Sequence, residues 1–88
     1  MKYTCPCCGY KTFDQPVNGS YAICRICWWE DDGVQLDDPD YEGGANPFSL
    51  RQSQKNFAKY GACDEGMLPF VRPPAADEPK DETWHPLK

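Results

Sequence analysis

The chain is short of histidine, of aliphatic side chains, of long apolar runs and of positive charge. Its one histidine, His85, stands beside Trp84 in a proline-rich stretch. A lone imidazole gives little scope for acid–base relays. As a zinc ligand it would have to displace a better-placed cysteine. Val, Leu, Ile and Phe number only 13 of 88 residues, which is thin for a self-sufficient core. No apolar run approaches the ~20 residues that span a bilayer. The opening "MKYTCPCC" lacks the apolar stretch of a secretory signal. The expectation is a cytoplasmic protein with reduced cysteines and no membrane association. Nine basic residues against 14 acids leave a net charge of −5. Nucleic-acid binders usually carry a basic footprint, so a nucleic-acid partner is disfavoured.

What the chain does have is sulfur and aromatic rings. Three Trp and five Tyr can each bury a large area. Six cysteines fall in a pattern. Cys5 and Cys8 form one CxxC pair, in "CPCCG"; Cys24 and Cys27 form another, in "CRIC". Fifteen residues, Gly9 to Ile23, separate them, a spacing read as a metal site. Each CxxC turn folds two sulfurs toward one point, and two turns supply the four thiolates of a tetrahedral Zn²⁺. Cys7 and Cys8 are adjacent, so using both would strain the turn. Pro6 presets the backbone, and Gly9 can take the left-handed angle that lets the chain leave a tight turn. The expected ligands are therefore Cys5, Cys8, Cys24 and Cys27, around one structural zinc. Such a metal adds about 10–16 kcal/mol of folding energy, which a small core needs. Four thiolates also hold Fe²⁺.

The fold class expected is a small metal-stabilised α+β domain, zinc-ribbon-like, with about three short antiparallel strands. "YKTF" (10–13) and "SYAI" (20–23) are β-prone, and the Asn18-Gly19 turn signal between them predicts a hairpin. "DGVQL" (32–36) reads as a third strand with Val34 and Leu36 on one face. Residues 37–48 are rich in turn formers. A helix is expected over about 49–60. Ser49 and Gln52 make a capping box, Gly61 ends it, and Leu50, Phe57 and Ala58 form its packed face. Arg51, Lys55 and Lys59 line another face. Residues 1–71 make one domain, and 72–88, with four prolines and four acids, make a flexible extended tail.

The segments "CPCCGYKTF", "NGSYAICRICWWEDDGVQ", "DPDYEGGAN", "SLRQSQKNFAKYGAC" and "VRPP" together resemble the bacterial cysteine-rich CPCC family, from about Cys5 to Pro74. The resemblance implies a bacterial zinc-ribbon-like protein and names no reaction. The second knuckle departs from the first: "CRIC" is followed by Trp28 and lacks the Pro and Gly.

Other features carry weaker chemistry. Cys7 and Cys63 remain, read as reduced thiols, Cys7 on the knuckle surface and Cys63 packed. Asp64 and Glu65 disfavour a reactive Cys63 thiolate. Trp28 and Trp29 offer either a base-stacking platform or a cover over the metal, with packing favoured. Seven of the 14 acids lie between Glu30 and Glu42, read as a solvated loop facing the basic helix row or a surface for a basic partner. The expected function is a non-enzymatic module with a protein partner. A nucleic-acid-binding ribbon and a thiol-redox protein using Cys7 or Cys63 are the rivals.

Overall fold

Both CxxC turns close on the same pair of backbone hydrogen bonds. In the computed structural model, which describes residues 2–87, Gly9 N–H donates to the Cys5 carbonyl (2.8 Å) and Cys5 N–H to that of Tyr10 (2.9 Å). Trp28 N–H donates to Cys24 (2.9 Å) and Cys24 N–H to Trp29 (2.9 Å). Each knuckle is thus the tip of a short antiparallel hairpin. Strands β1 (Tyr3–Thr4) and β2 (Lys11–Phe13) flank the first, pairing Tyr3 with Phe13 and Thr4 with Lys11. An Ile23–Glu30 bridge flanks the second. Residues 1 and 88, the outer bounds expected for the domain and its tail, lie outside the described residues.

Among the described residues the sheet has two strands, where about three were expected. "SYAI" does not pair with "YKTF"; it turns instead toward residues 29–31, where Tyr21 N–H meets the Asp31 carbonyl (3.0 Å). The Asn18-Gly19 bend closes on the Asp31 side chain. "DGVQL" is helical: α1 spans Gly33–Asp37 because Asp32 caps it, accepting from Val34 N–H (2.9 Å) and Gln35 N–H (3.4 Å). Val34 is 55% exposed, and the residue turned inward is Gln35.

Gln35 and Asn46 organise the loop that follows. The Gln35 amide donates to the carbonyls of Tyr41 (3.1 Å) and Phe48 (2.9 Å). Asn46 Nδ2 donates to Gln35 Oε1 (3.0 Å) and to the Glu30 carbonyl (2.8 Å). The second Asp32 oxygen accepts from Ala45 N–H (2.8 Å). At Gly44 the chain passes so close to that oxygen that any β-carbon would collide with it.

Helix α2 spans Leu50–Tyr60, beginning at the Ser49 cap (Gln52 N–H to Ser49 Oγ, 3.1 Å) and ending where Gly61 turns left-handed at φ +82°. Its inner face is Leu50, Ser53, Gln54 and half-buried Phe57; Ala58, expected inside, is exposed. Just beyond it, Cys63 N–H donates to the Cys27 carbonyl (2.8 Å), tying the helix end to the second knuckle. The core consists of the cysteines themselves with Phe13, Ile26, Trp29 and Leu50. No helix among the described residues is long and apolar enough to cross a membrane.

The segment expected as a flexible tail is laid against the first knuckle. Lys11 N–H donates to Pro79 (2.9 Å) and Asp81 N–H to Gly9 (2.8 Å), so residues 79–81 run along β2 on the side away from β1. Arg72 holds the buried Glu78 carboxylate with two bonds (2.7 and 2.9 Å). Thr4 donates to Asp81 (2.6 Å). Trp84 packs on Gly9 and its indole N–H reaches the Pro6 carbonyl (3.1 Å). That carbonyl also receives Gln54 Nε2 from α2 (2.7 Å). The knuckle is therefore held from two sides.

Candidate metal centre

The two hairpin tips bring Cys5, Cys8, Cys24 and Cys27 together, with all four sulfurs within 4.8 Å of one another and all four residues buried. The Sγ–Sγ distances are 3.7 Å for Cys5–Cys27 and 3.8 Å for Cys8–Cys24. A tetrahedral ion with metal–sulfur bonds of about 2.3 Å needs an edge of about 3.8 Å. The four cysteines are thus positioned to bind a metal ion. Among the described residues no other group of three or more Cys, His, Asp or Glu side chains converges in this way.

The local backbone explains the arrangement. A residue four positions after the first cysteine of each pair must turn left-handed. Gly9 does so at φ +81° without steric cost. In the second knuckle the same place is filled by Trp28, at φ +71°. A non-glycine residue there carries about 1–2 kcal/mol of strain. The geometry of the two turns is otherwise alike, so the missing Gly changes the energy of the second knuckle and not its shape.

Burial raises two of these thiols, whereas hydrogen bonding lowers a third. Burial pushes the Cys5 and Cys27 thiols well above their ordinary values. Cys24 is held far below its own, because hydrogen bonds from Cys27, Cys5 and Cys8 favour its thiolate. The buried Thr12 hydroxyl, on β2, adds a further bond to Cys24 Sγ (3.2 Å). A divalent ion would supply the charge that lets all four sulfurs ionise together.

The remaining sequence candidates fall outside this cluster. Cys7 is not on the knuckle surface, as expected, but fully buried. Its place in the turn aims it inward, where burial raises its thiol and Cys27 lies beside it. Cys63 is packed, 2% exposed, and burial raises its thiol too. All six cysteines are free. His85 is exposed. Trp29 is wholly buried, and half-buried Trp28 stacks on Phe70 (5.5 Å between centroids, 22° between planes).

Three contributors escaped the sequence reading. Thr12 looked like one residue of a strand. Asp31 looked like part of an acidic surface, yet it is buried and accepts from Asn18, Gly19 and Ser20 N–H and the Ser20 hydroxyl (2.7–3.0 Å). Burial opposes its ionisation, but those bonds outweigh burial and hold the carboxyl below its ordinary value. Gln54 lies in the expected helix but is not among the residues expected on its packed face. Only Asp31 left a signal: the "NGS" bend ahead of it is an arrangement of N–H groups that favours a carboxylate.

No curated protein matches the chain. A family model described as cysteine-rich CPCC matches residues 3–78, taking in both knuckles, both helices and the segment up to the Arg72–Glu78 pair, and the chain belongs to that family.

Proposed function

We propose that Cys5, Cys8, Cys24 and Cys27 hold one structural Zn²⁺ and that the protein is a non-enzymatic module for binding another protein. The observation that carries the reading is the buried set of four sulfurs within 4.8 Å of one another, two of whose separations match a tetrahedral edge. Zn²⁺ suits that donor set, because it imposes no other geometry and undergoes no redox change. A four-thiolate site keeps no position for a reacting water, which favours a structural role. When bound, the ion contributes its binding free energy to folding. The test is native mass spectrometry of gently purified protein. One zinc per chain together with a second protein at fixed ratio is the expected result. A bound iron, or a metal-free disulfide form, would overturn the zinc assignment; zinc-loaded chain with no partner under any condition would overturn the interaction reading.

The rivals find less support. Trp29 is buried and Trp28 is already stacked, so this tryptophan pair is not the base-stacking platform that the nucleic-acid reading needs. Cys7 and Cys63 are buried with raised thiols, the opposite of what a redox cysteine requires.

A further inference from the structure

Among the described residues, an apolar cleft lies between the first knuckle, the end of α2 and the segment that follows Phe70. It has a volume of about 300 Å³. Tyr10, Phe57 and Tyr60 supply rings, and Ile26 and Val71 supply aliphatic surface. Tyr10 meets Phe57 edge-on at 6.5 Å, so the aromatic floor is braced. Pro73 and Pro74 also line it and offer no N–H donors. No acidic side chain lines it.

The cations near this cleft matter because the chain as a whole is acidic, at −5. Arg72 lines the cleft, but its charge is matched by Glu78. Lys59 and Lys80 are not matched. The Lys59 ammonium lies 5.1 Å from the Tyr60 ring, and that of Lys80 lies 5.1 Å from both the Tyr10 and the Trp84 ring. Both lysines are exposed, and neither enters an ion pair among the described residues. An ammonium resting on a ring face keeps its outer side free for a carboxylate. An apolar aromatic floor with two unpaired cations at its edge thus faces outward from an acidic protein.

The geometry points to this cleft as the docking groove for a short acidic peptide segment of a partner protein, one aromatic or large aliphatic side chain seated on Tyr10, Phe57 and Tyr60 and flanking carboxylates meeting Lys59 and Lys80. The inference rests on the interaction reading above and assigns that reading a surface and a partner chemistry. The volume suits one large side chain, the usual anchor of such an interface. A peptide fits better than a nucleic acid, because a polyphosphate chain is held through many cationic contacts and only two are on offer. The groove also selects against basic partners, which the exposed acids of the 37–42 loop would otherwise attract.

The test uses the full chain loaded with zinc and a fluorescein-labelled synthetic heptapeptide, one tryptophan between two runs of three aspartates. Anisotropy should rise on binding, and amide NMR shifts should concentrate at Tyr10, Ile26, Phe57, Tyr60 and Val71. Replacing the tryptophan by alanine, or the aspartates by lysines, should abolish binding. Lys59→Glu with Lys80→Glu should weaken it by about tenfold or more while zinc content stays at one per chain. Both positions are exposed, so a folding failure is not expected; Tyr60→Ala is a second variant that should weaken binding without altering charge. Shifts elsewhere, or none, would overturn the groove. So would tighter binding of a thymidine oligonucleotide at the same residues, or self-association of the chain through them. A partner that co-purifies and is indifferent to Lys59→Glu/Lys80→Glu would overturn the groove alone, leaving the interaction reading in place.

Discussion

Replacing Gly9 by alanine tests whether the C-terminal segment is part of the folded unit. Gly9 sits at φ +81°, and a β-carbon there would lie 2.6 Å from Cδ2 of Trp84 and against Cε3 of the same ring. Three penalties follow. The left-handed backbone is strained by about 1–2 kcal/mol once a β-carbon is present. The indole must also move, which sacrifices its bond to the Pro6 carbonyl, about 0.5–1.5 kcal/mol. Burial of a half-exposed ring adds roughly another 1 kcal/mol. Gly9→Ala should therefore destabilise the protein by about 3–4 kcal/mol. In a Trp84→Ala background the ring is gone, and the same change should cost only the backbone share, about 1–2 kcal/mol. The double-mutant cycle reads the difference as a coupling of about 1.5–2.5 kcal/mol. The assay is urea unfolding at a fixed free-zinc concentration, because metal binding and folding are linked. An equal cost in both backgrounds would refute the docking of Trp84 on the knuckle.

Four further outcomes are expected. Serine at Cys5, Cys8, Cys24 or Cys27 should abolish tight metal binding, whereas Cys7→Ser and Cys63→Ser should keep one ion per chain by native mass spectrometry; a folded, metal-loaded Cys8→Ser protein would sink the choice of Cys8 over Cys7. Thr12→Val should weaken metal affinity by about tenfold in a chelator competition, through loss of its bond to Cys24 Sγ. Trp28→Gly should be less destabilising than Trp28→Ala, reversing the usual order. Both lose the Phe70 stack, but only glycine relieves the left-handed strain; thermal midpoints in the presence of zinc decide it. Asp31→Asn should destabilise by about 1–3 kcal/mol, since an amide cannot accept at every one of those donors. Asp31's native pKa lies below its unfolded value of about 3.9. Its contribution is therefore complete above that value and lost as pH falls through the native one. The difference between wild type and variant should stay flat from about pH 8 to 5, and a slope in that window, measured by denaturation, would refute the ionised assignment.

Both knuckles were legible because each is written locally, as a CxxC turn whose two cysteines face one point. The α2 helix was legible for the same reason, since Ser49, Gln52 and Gly61 are local stop and start signals. Elsewhere local patterns competed. In "DGVQL" the alternation of Val34 and Leu36 reads as a strand, yet the Asp32 cap makes it a turn of helix, and a five-residue segment has too few positions for periodicity to decide. The inner face of α2 was misread at Ala58 because Ser53 and Gln54 are polar. Gln54 belongs inside only because the Pro6 carbonyl and Leu87 N–H, 48 and 33 residues away, take up both ends of its amide. The contacts of the segment after Arg72 were not legible for a like reason. Proline and acid content describe its backbone preferences, whereas Thr4, Gly9 and Pro6, its anchors, are more than 70 residues upstream.

Asp31 and Asp32, the buried members of the acidic stretch, show how a chain poor in aliphatics fills its interior. Of the seven acids between Glu30 and Glu42, Asp31 gathers a bend, Asp32 caps α1 and fixes Ala45, Asp38 accepts from Asp40 N–H, and Asp40 pairs with Arg51 at 2.7 Å. Carboxylates that look like surface charge are thus spent on backbone N–H groups and one helix cation. The same holds for Gln35, Asn46 and Gln54, whose amides replace the apolar contacts that more leucines would have made. Such an interior is stable only while every member is satisfied, because a buried polar group left alone costs about 1–3 kcal/mol. The four-sulfur cluster lies at its centre, and the knuckle carbonyls are among its acceptors. Loss of the metal should therefore not leave a loosened version of this fold: displacing Pro6 strands Gln54 and Trp84 together, and with them α2 and the C-terminal segment.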